Sequence, residues 1–244
     1  MSQATVQRVF EPQTAAQRAP ELTIVVPTLN ERENIAPLIG RIDAVLAGTD
    51  WEVIFVDDDS RDGTPEHVRA IGRTDPRVRC LQRIGRRGLS TACIEGILAS
   101  AAPYIALMDA DLQHDESILP SMLDSLRDDS CDLVVGSRYV SGGGVGEWDS
   151  TRANISGFAT RLSRIICKAD IADPMSGFFM FKRPVFEAAV RKLSGQGFKI
   201  LLDLLASSPT PPRLKELPYE FRQRQFGESK LDTMVAWEFG MPSS

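Results

Sequence analysis

The sequence predicts an α/β domain with a mostly parallel central sheet flanked by helices. Three observations predict it. Short apolar runs rich in β-branched residues recur at 22–27, 53–56, 78–81, 104–108 and 133–135, and unbroken runs of this kind belong to strands buried on both faces. Between them lie longer stretches whose apolar residues are spaced three and four apart, the period of a helix with one buried face. Polar and chiefly acidic residues then collect directly after the runs, at the edge where a parallel sheet binds its ligands.

The elements follow in order. The lead-in MSQATVQRVFEPQTAAQRAP (1–20) has no apolar core of signal-peptide length. The first strand gives way to VVPTLNERE. ERENIAPLIGRIDAVLAG then carries Ile35, Leu38, Ile39, Ile42, Val45 and Leu46 on one helical stripe. The second strand runs into VDDDSRDGT, where Asp62 or Thr64 is placed to cap the next helix. That helix holds His67, away from any strand end and expected on the surface. The third strand leads through RIGRRG into the helix of GLSTACIEGILASAA. The fourth strand ends in MDADLQHD, with Asp115 placed as N-cap to the helix of ESILPSMLDSLRDD, and the fifth ends in GSRY. SGGGVGEWDSTRANISG is a glycine-rich segment before a helix expected over 151–168, and long loops of this kind often serve as functional lids. DPMSGFFMFKR, a short helix from Pro184, a helix in GFKILLDLLASS and a strand within LKELPYEFRQRQFGESKLD complete the domain. One domain is expected over 21–232, its first and second halves sharing one sheet. MVAWEFGM, within 233–244, reads either as the start of a membrane-associated segment whose continuation is cut away or as an amphipathic helix that docks on the membrane interface.

At 244 residues and 43% hydrophobic, the chain can bury a sizeable core. A net charge of −5 and a pI ≈ 5.2 lack the basic field of a nucleic-acid binder, so no nucleic-acid partner is expected. Cys80, Cys93, Cys131 and Cys167 lie far apart without C-x-x-C spacing and read as reduced, partly buried cytosolic thiols. No window approaches the ~20 apolar residues of a membrane span, so the chain reads as soluble or peripheral.

The acidic rim carries the chemistry. Glu31, Asp57, Asp58, Asp59, Asp109 and Asp111 follow strand ends, and carboxylates gathered there repel unless a cation or hydrogen-bond donors offset them. Asp109 and Asp111, two apart in extended backbone and aimed to one side, are followed by Gln113. Oxygen donors of this kind suit Mg²⁺ or Mn²⁺, which bind through one or two carboxylates plus substrate phosphates. A D-x-D triplet also arises by chance as a turn or a cap. The three Asp residues of VDDDSRDGT exceed what a turn requires, and a carboxylate there can accept from a base edge or a ribose hydroxyl. Arg83, Arg86 and Arg87 precede a glycine that opens a helix, where backbone donors favour anions, although at least one of them reads as a solvated charge. His114 adjoins the D-x-D and is a candidate ligand contact. Without a nucleophile elbow near it a Ser/His/Asp triad has little support, and without GxxxxGK[ST] a P-loop phosphotransferase has none.

Taken in series, VVPTLNERENI, VDDDSRDGT, GLSTACIEG, MDADLQHD, GSRY, DPMSGFFMFKR and RQFGESKL resemble the family 2 glycosyltransferases of the GT-A fold, a single Rossmann-like domain. They stand nearest to the polyprenyl-phosphate (dolichyl-phosphate) mannosyltransferases. The resemblance runs from about residue 22 to 232. It implies that Pro27, Leu29 and Glu31 line the nucleotide pocket, and that Val56 and Asp58 hold the base and ribose region. Asp109, Ala110, Asp111 and Gln113 then place Mg²⁺ or Mn²⁺ against the donor diphosphate. Arg138, Arg152 and Ser156 grip the acceptor's phosphate, while Arg224 and Lys230 close over the donor's phosphates; Asp111, Arg138 and Arg152 are the implied catalytic residues. Asp59 and Ser90 stand where the family commonly has glycine.

The implied reaction is an inverting transfer of a hexose, mannose from GDP-mannose in first place, onto a polyprenyl monophosphate at the cytoplasmic face of a membrane. Such a phosphate is already an anionic nucleophile near neutral pH, its second pKa being about 6, so no protein base is needed. Alternatives are the same acceptor with a UDP-sugar donor such as UDP-glucose or a UDP-amino sugar, and a catalytically silent nucleotide-sugar-binding module. A sugar-nucleotide nucleotidyltransferase ranks low, because no glycine-rich, lysine-containing triphosphate loop follows the first strand.

Overall fold

A computed structural model describes residues 19–144, 171–195, 197 and 200–224. The lead-in, the 151–168 helix and the MVAWEFGM segment lie outside the described residues, as do Arg152, Ser156, Cys167 and Lys230.

Among the described residues seven strands form one sheet in the order β3-β2-β1-β4-β6-β5-β7. These are β1 Leu22–Thr28, β2 Trp51–Asp57, β3 Val78–Gln82, β4 Tyr104–Leu107, β5 Leu133–Ser137, β6 Phe179–Lys182 and β7 Leu214–Pro218. All neighbours are parallel except β6, which runs antiparallel to both β4 and β5. The helices are α1 Arg32–Val45, α2 Thr64–Gly72, α3 Leu89–Leu98, α4 Leu119–Arg127, α5 Arg183–Ala189 and α6 Ile200–Ser207.

Both faces of the sheet are covered, which is why its central strands read as continuous apolar runs. Leu22, Ile24 and Val26 of β1 join Val53 and Phe55 of β2 in a core roofed by Ile35, Leu38 and Ile42 of α1 and by Leu123 and Leu126 of α4. Val25, Ile54, Val56, Ile105 and Leu107 face the other way, against Ala92, Cys93 and Ile97 of α3 and Leu201, Leu204 and Leu205 of α6. This alternation is the two-residue period of a strand. Helix α3 lies so close to the sheet that a Cβ on Gly96 would fall 2.4 Å from Val25 Cγ1 and 2.8 Å from Val56 Cγ2. Only glycine fits there.

All five strands expected from apolar runs are present, and the helices expected in described segments are present too. Asp115 accepts a hydrogen bond from Ser117 N at the head of the 3₁₀ turn Glu116–Ile118, as its capping role requires. Before α2 the cap position belongs to Gly63, while Asp62 accepts from both the N–H and the Oγ1 of Thr64. His67 is half-buried within α2. The antiparallel strand β6 was not foreseen, because DPMSGFFMFKR was read only as a motif between helices.

Candidate active site

The parallel strands end together on one rim, and the loops there are laced to each other. After β1, Asn30 adopts a left-handed backbone (φ 55) and its N–H donates to Ser60 Oγ at 2.8 Å, while its Oδ1 accepts from Arg61 N at 3.0 Å. Glu31 N donates to Thr64 Oγ1 and Arg32 N to Asp62 Oδ2. Glu31 itself is buried and its carboxylate is engaged by the Asn34 amide. Pro27 and Leu29 are half-buried on the same rim.

The three successive aspartates divide their labour. Asp57 is fully buried and closes the turn, accepting from Ser60 N and Ser60 Oγ and from Thr28 Oγ1. Asp58 accepts from Arg83 Nη1 and Gly88 N, both at 2.8 Å, and so ties the second loop to the start of α3. Burial pushes the Asp58 carboxyl above the ordinary carboxylate range, against the pull of the Gly88 amide and the Arg83 charge. Asp59 takes a left-handed backbone (φ 63), the conformation that favours glycine, so a glycine would be the unstrained residue here. Val56 is wholly buried against α3, so its side chain is a core side chain. Of the arginines before α3, Arg83 is buried on Asp58 and Thr91, and Arg86 pairs with Glu95 on the surface.

The D-x-D lies in a tight bend. It was expected in extended backbone, yet β4 stops at Leu107 and the bend over 110–112 includes Leu112 in the left-handed region (φ 64). The reason is His114. Its ring is buried, stacked 5.1 Å from Phe178, with Nδ1 accepting from Asp109 N at 3.1 Å. Burial lowers its pKa to about 4, which keeps it neutral and able to accept. His114 is therefore a support for the bend and turns its ring inward, away from a ligand's reach. Asp109 keeps a side chain 43% exposed and lies beside Gly177, where a Cβ would be 3.1 Å from Oδ2. Ala110 is buried in the core.

Asp111 is largely buried. It accepts from Gln113 N through Oδ1 and from Arg224 Nη2 through Oδ2, at 3.1 and 2.8 Å. Burial, and then the charge of Asp109, raise its pKa. Gln113 donates through Nε2 to Arg222 O. Two carboxylates and an amide, of which Asp109 has a partly exposed side chain while Asp111 and Gln113 are buried, are hard oxygen donors of the kind that fits Mg²⁺ or Mn²⁺ held jointly with a diphosphate. Among the described residues no three His, Cys, Asp or Glu side chains form a closed cage. A small hollow beside Asp109 is lined by Pro27 and Met108 at the strand ends, Leu89 and Cys93 of α3, Met175, and Ile200 of α6.

Arg138, at the end of β5, is held by Asp173, which is fully buried. Nε and Nη2 reach the two carboxylate oxygens at 2.7 and 2.8 Å. The guanidinium lies 5.4 Å from the rings of both Tyr139 and Phe221. Asp173 went unassigned in the sequence although it opens the DPMSG motif. Tyr219, likewise unassigned, stands edge-on to His114 and Phe178. The structure thus brings Glu31, Asp58, Asp109, Asp111, Gln113, Arg138 and Arg224 to one face of the domain.

Comparison with known proteins bears on the family and the fold. Residues 23–189 match the model of the glycosyl transferase family 2. A dolichol-phosphate mannosyltransferase of Pyrococcus furiosus is 38% identical over 221 residues, covering 90% of this chain and 61% of that protein. One from Saccharomyces cerevisiae is 39% identical over 228 residues, covering 90% of this chain and 84% of that protein. The chain thus spans under two thirds of the Pyrococcus protein's length. Among solved structures, glucosyl-3-phosphoglycerate synthase from Mycobacterium tuberculosis, bound to Mn²⁺, UDP and glucosyl-3-phosphoglycerate, superposes with a TM-score of 0.63 at 20% identity, covering 91% of this chain and 77% of that one. A mannosyltransferase from Pyrobaculum calidifontis in complex with GDP-Man and Mn²⁺ gives 0.59 at 21%, covering 86% and 59%. At these identities the two structures establish a common fold.

Proposed function

The chain belongs to glycosyl transferase family 2 and has the GT-A fold, and from that premise we propose that it moves a hexose, mannose from GDP-mannose, onto a polyprenyl (dolichyl-type) monophosphate at a membrane surface. The observation that carries the reading is the rim itself. Asp109 and Asp111 follow β4 with Arg224 bonded to Asp111, and Arg138 follows β5, a strand parallel to β4, held by Asp173, so carboxylates for a cation and two arginines share one edge of the sheet. That is what a site needs when a diphosphate donor and a phosphate acceptor must be brought together. The names of the relatives supply the sugar and the lipid class.

In the proposed mechanism the acceptor phosphate oxygen attacks the anomeric carbon in line, the nucleoside diphosphate leaves, and the configuration inverts. Mg²⁺ or Mn²⁺, when bound, neutralises charge on the leaving diphosphate. Asp109 and Asp111, with Gln113, would hold it. Arg224 would move from Asp111 to the donor's phosphates, a role the reading also gives to Lys230. Arg138, with Arg152 and Ser156, orients the incoming phosphate, and its stacking on Phe221 and its bond to Asp173 keep the guanidinium placed for that contact. Glu31 and Asp58 frame the nucleoside end. No described helix is long and apolar enough to cross a membrane.

The test is product formation. GDP-mannose and UDP-glucose are each incubated with dolichyl phosphate in detergent, with Mn²⁺ or with EDTA. Mannosyl lipid formed only with the metal supports the reading. Glucosyl lipid would keep the mechanism and change the donor, and tight donor binding with no product would favour a silent binding module.

A further inference from the structure

We propose that Arg222 is a positioning residue for the donor's diphosphate: it sets the register of the segment that carries Arg224 against the D-x-D bend. The inference rests on the glycosyl-transfer reading above and adds to it a residue that no motif singled out. Arg222 Nη1 lies 2.7 Å from Glu116 Oε2 and Nη2 lies 2.6 Å from Asp115 Oδ1. Its backbone binds the same loop, with Arg222 N donating to Gln113 O at 2.9 Å and Gln113 Nε2 donating to Arg222 O at 3.1 Å. Four hydrogen bonds thus fasten one residue to Gln113, Asp115 and Glu116.

The partners are themselves fixed. Asp115 caps the 3₁₀ turn through Ser117 N, and Glu116, its side chain 9% exposed, also faces Arg41 of α1 at 3.9 Å. Two residues beyond Arg222, Arg224 reaches Asp111. Residues 222 and 224 therefore hold the 111–116 loop at two points, and a slip of one residue would carry the Arg224 guanidinium away from Asp111. An ion pair at a half-exposed site adds little stability by itself. Its value here is geometric, since a charge misplaced by about 1 Å can cost about a hundredfold in rate.

The experiment measures the affinity of whichever nucleoside diphosphate, GDP or UDP, the wild type binds with Mn²⁺, by calorimetry, alongside melting temperature. Arg222→Met is expected to weaken it about tenfold, the usual loss when a supporting residue behind a ligand contact is removed. Arg222→Lys, which keeps one charge on Glu116, should recover part of it. Asp115→Asn with Glu116→Gln attacks the same contact from the other side, so it serves if Arg222→Met does not fold, and should give a similar loss. An anchor for the fold alone would lower the melting temperature and leave nucleotide affinity unchanged in the folded variants, and that result overturns the inference while leaving the donor reading intact. A wild type that binds neither nucleotide overturns both.

Discussion

Arg224 and Asp111 form an ion pair in the middle of the rim, Nη2 to Oδ2 2.8 Å, with side chains only 23% and 10% exposed. The arginine stands where a cation would otherwise offset the carboxylate. On the proposed reading, donor binding would be an exchange: Arg224 would pass to the donor's phosphate, and Asp111 would then be available to hold the metal.

That exchange predicts the behaviour of Arg224→Gln. Loss of one charge-assisted hydrogen bond to the diphosphate should weaken nucleotide binding about 10- to 100-fold, since such bonds contribute about 1.5–3 kcal/mol. The variant also leaves Asp111 without its cationic partner, next to Asp109. Mn²⁺ alone should then raise its melting temperature more than it raises that of the wild type. Scanning fluorimetry with and without Mn²⁺ reads this directly, and equal shifts in the two proteins would rule out the exchange.

Asp111→Asn separates binding from folding. Burial and the neighbouring Asp109 both disfavour the charged Asp111 side chain, so a neutral amide of the same shape should change stability by less than about 1 kcal/mol. Metal-dependent donor affinity should nevertheless fall at least about tenfold. EDTA should produce the same loss in the wild type. Donor binding that keeps its full metal dependence in Asp111→Asn would remove the D-x-D from the metal site.

These sites differ in how far the sequence revealed them. The parallel strands were legible because burial on both faces writes an unbroken apolar run, as in LTIVVPT of β1. Strand β6 was not, although FMFK has strand composition: its antiparallel direction is set by its pairing with Tyr104–Leu107 and Leu133–Val135, which no local pattern encodes. Likewise the acidic residues announced a rim, but their roles depended on partners far away in the chain. Arg83 takes up Asp58, Asp173 takes up Arg138, and His114 bends the D-x-D that spacing alone had drawn as extended. Arg222 gave no sign at all, because a basic residue in a polar tail looks the same whether or not its carboxylate partners lie over a hundred positions earlier.

Ser90 offers a test of how α3 is tied to a neighbouring loop. Its Oγ donates to Gly197 O at 2.8 Å from a fully buried site at the start of α3. Ser90→Ala leaves that carbonyl without the hydroxyl donor and should cost about 1 kcal/mol in chemical denaturation. Ser90→Gly should cost more, through the added flexibility of a helix residue, by about 0.5–1 kcal/mol. An unchanged midpoint in both variants would mean that the loop ending at Gly197 does not depend on this contact.

The cysteines carry the last prediction. Burial raises the Cys80 pKa to about 11, raises that of Cys93 further, and raises Cys131 as well. A thiol of pKa about 11 is ionised to only roughly one part in a thousand at pH 8, against about a quarter for a free cysteine near 8.5. Iodoacetamide should therefore modify Cys80 in the folded protein more than about a hundredfold slower than free cysteine, with a rate that climbs about tenfold per pH unit. Because the folded pKa lies above the unfolded value, folding holds the Cys80 proton more tightly. Its contribution to stability is complete below about pH 9 and is lost as pH rises towards 11. Peptide mapping after timed alkylation assigns each site. Rapid labelling of Cys80 at pH 7 would show that the thiol is not in the desolvated setting the structure gives it.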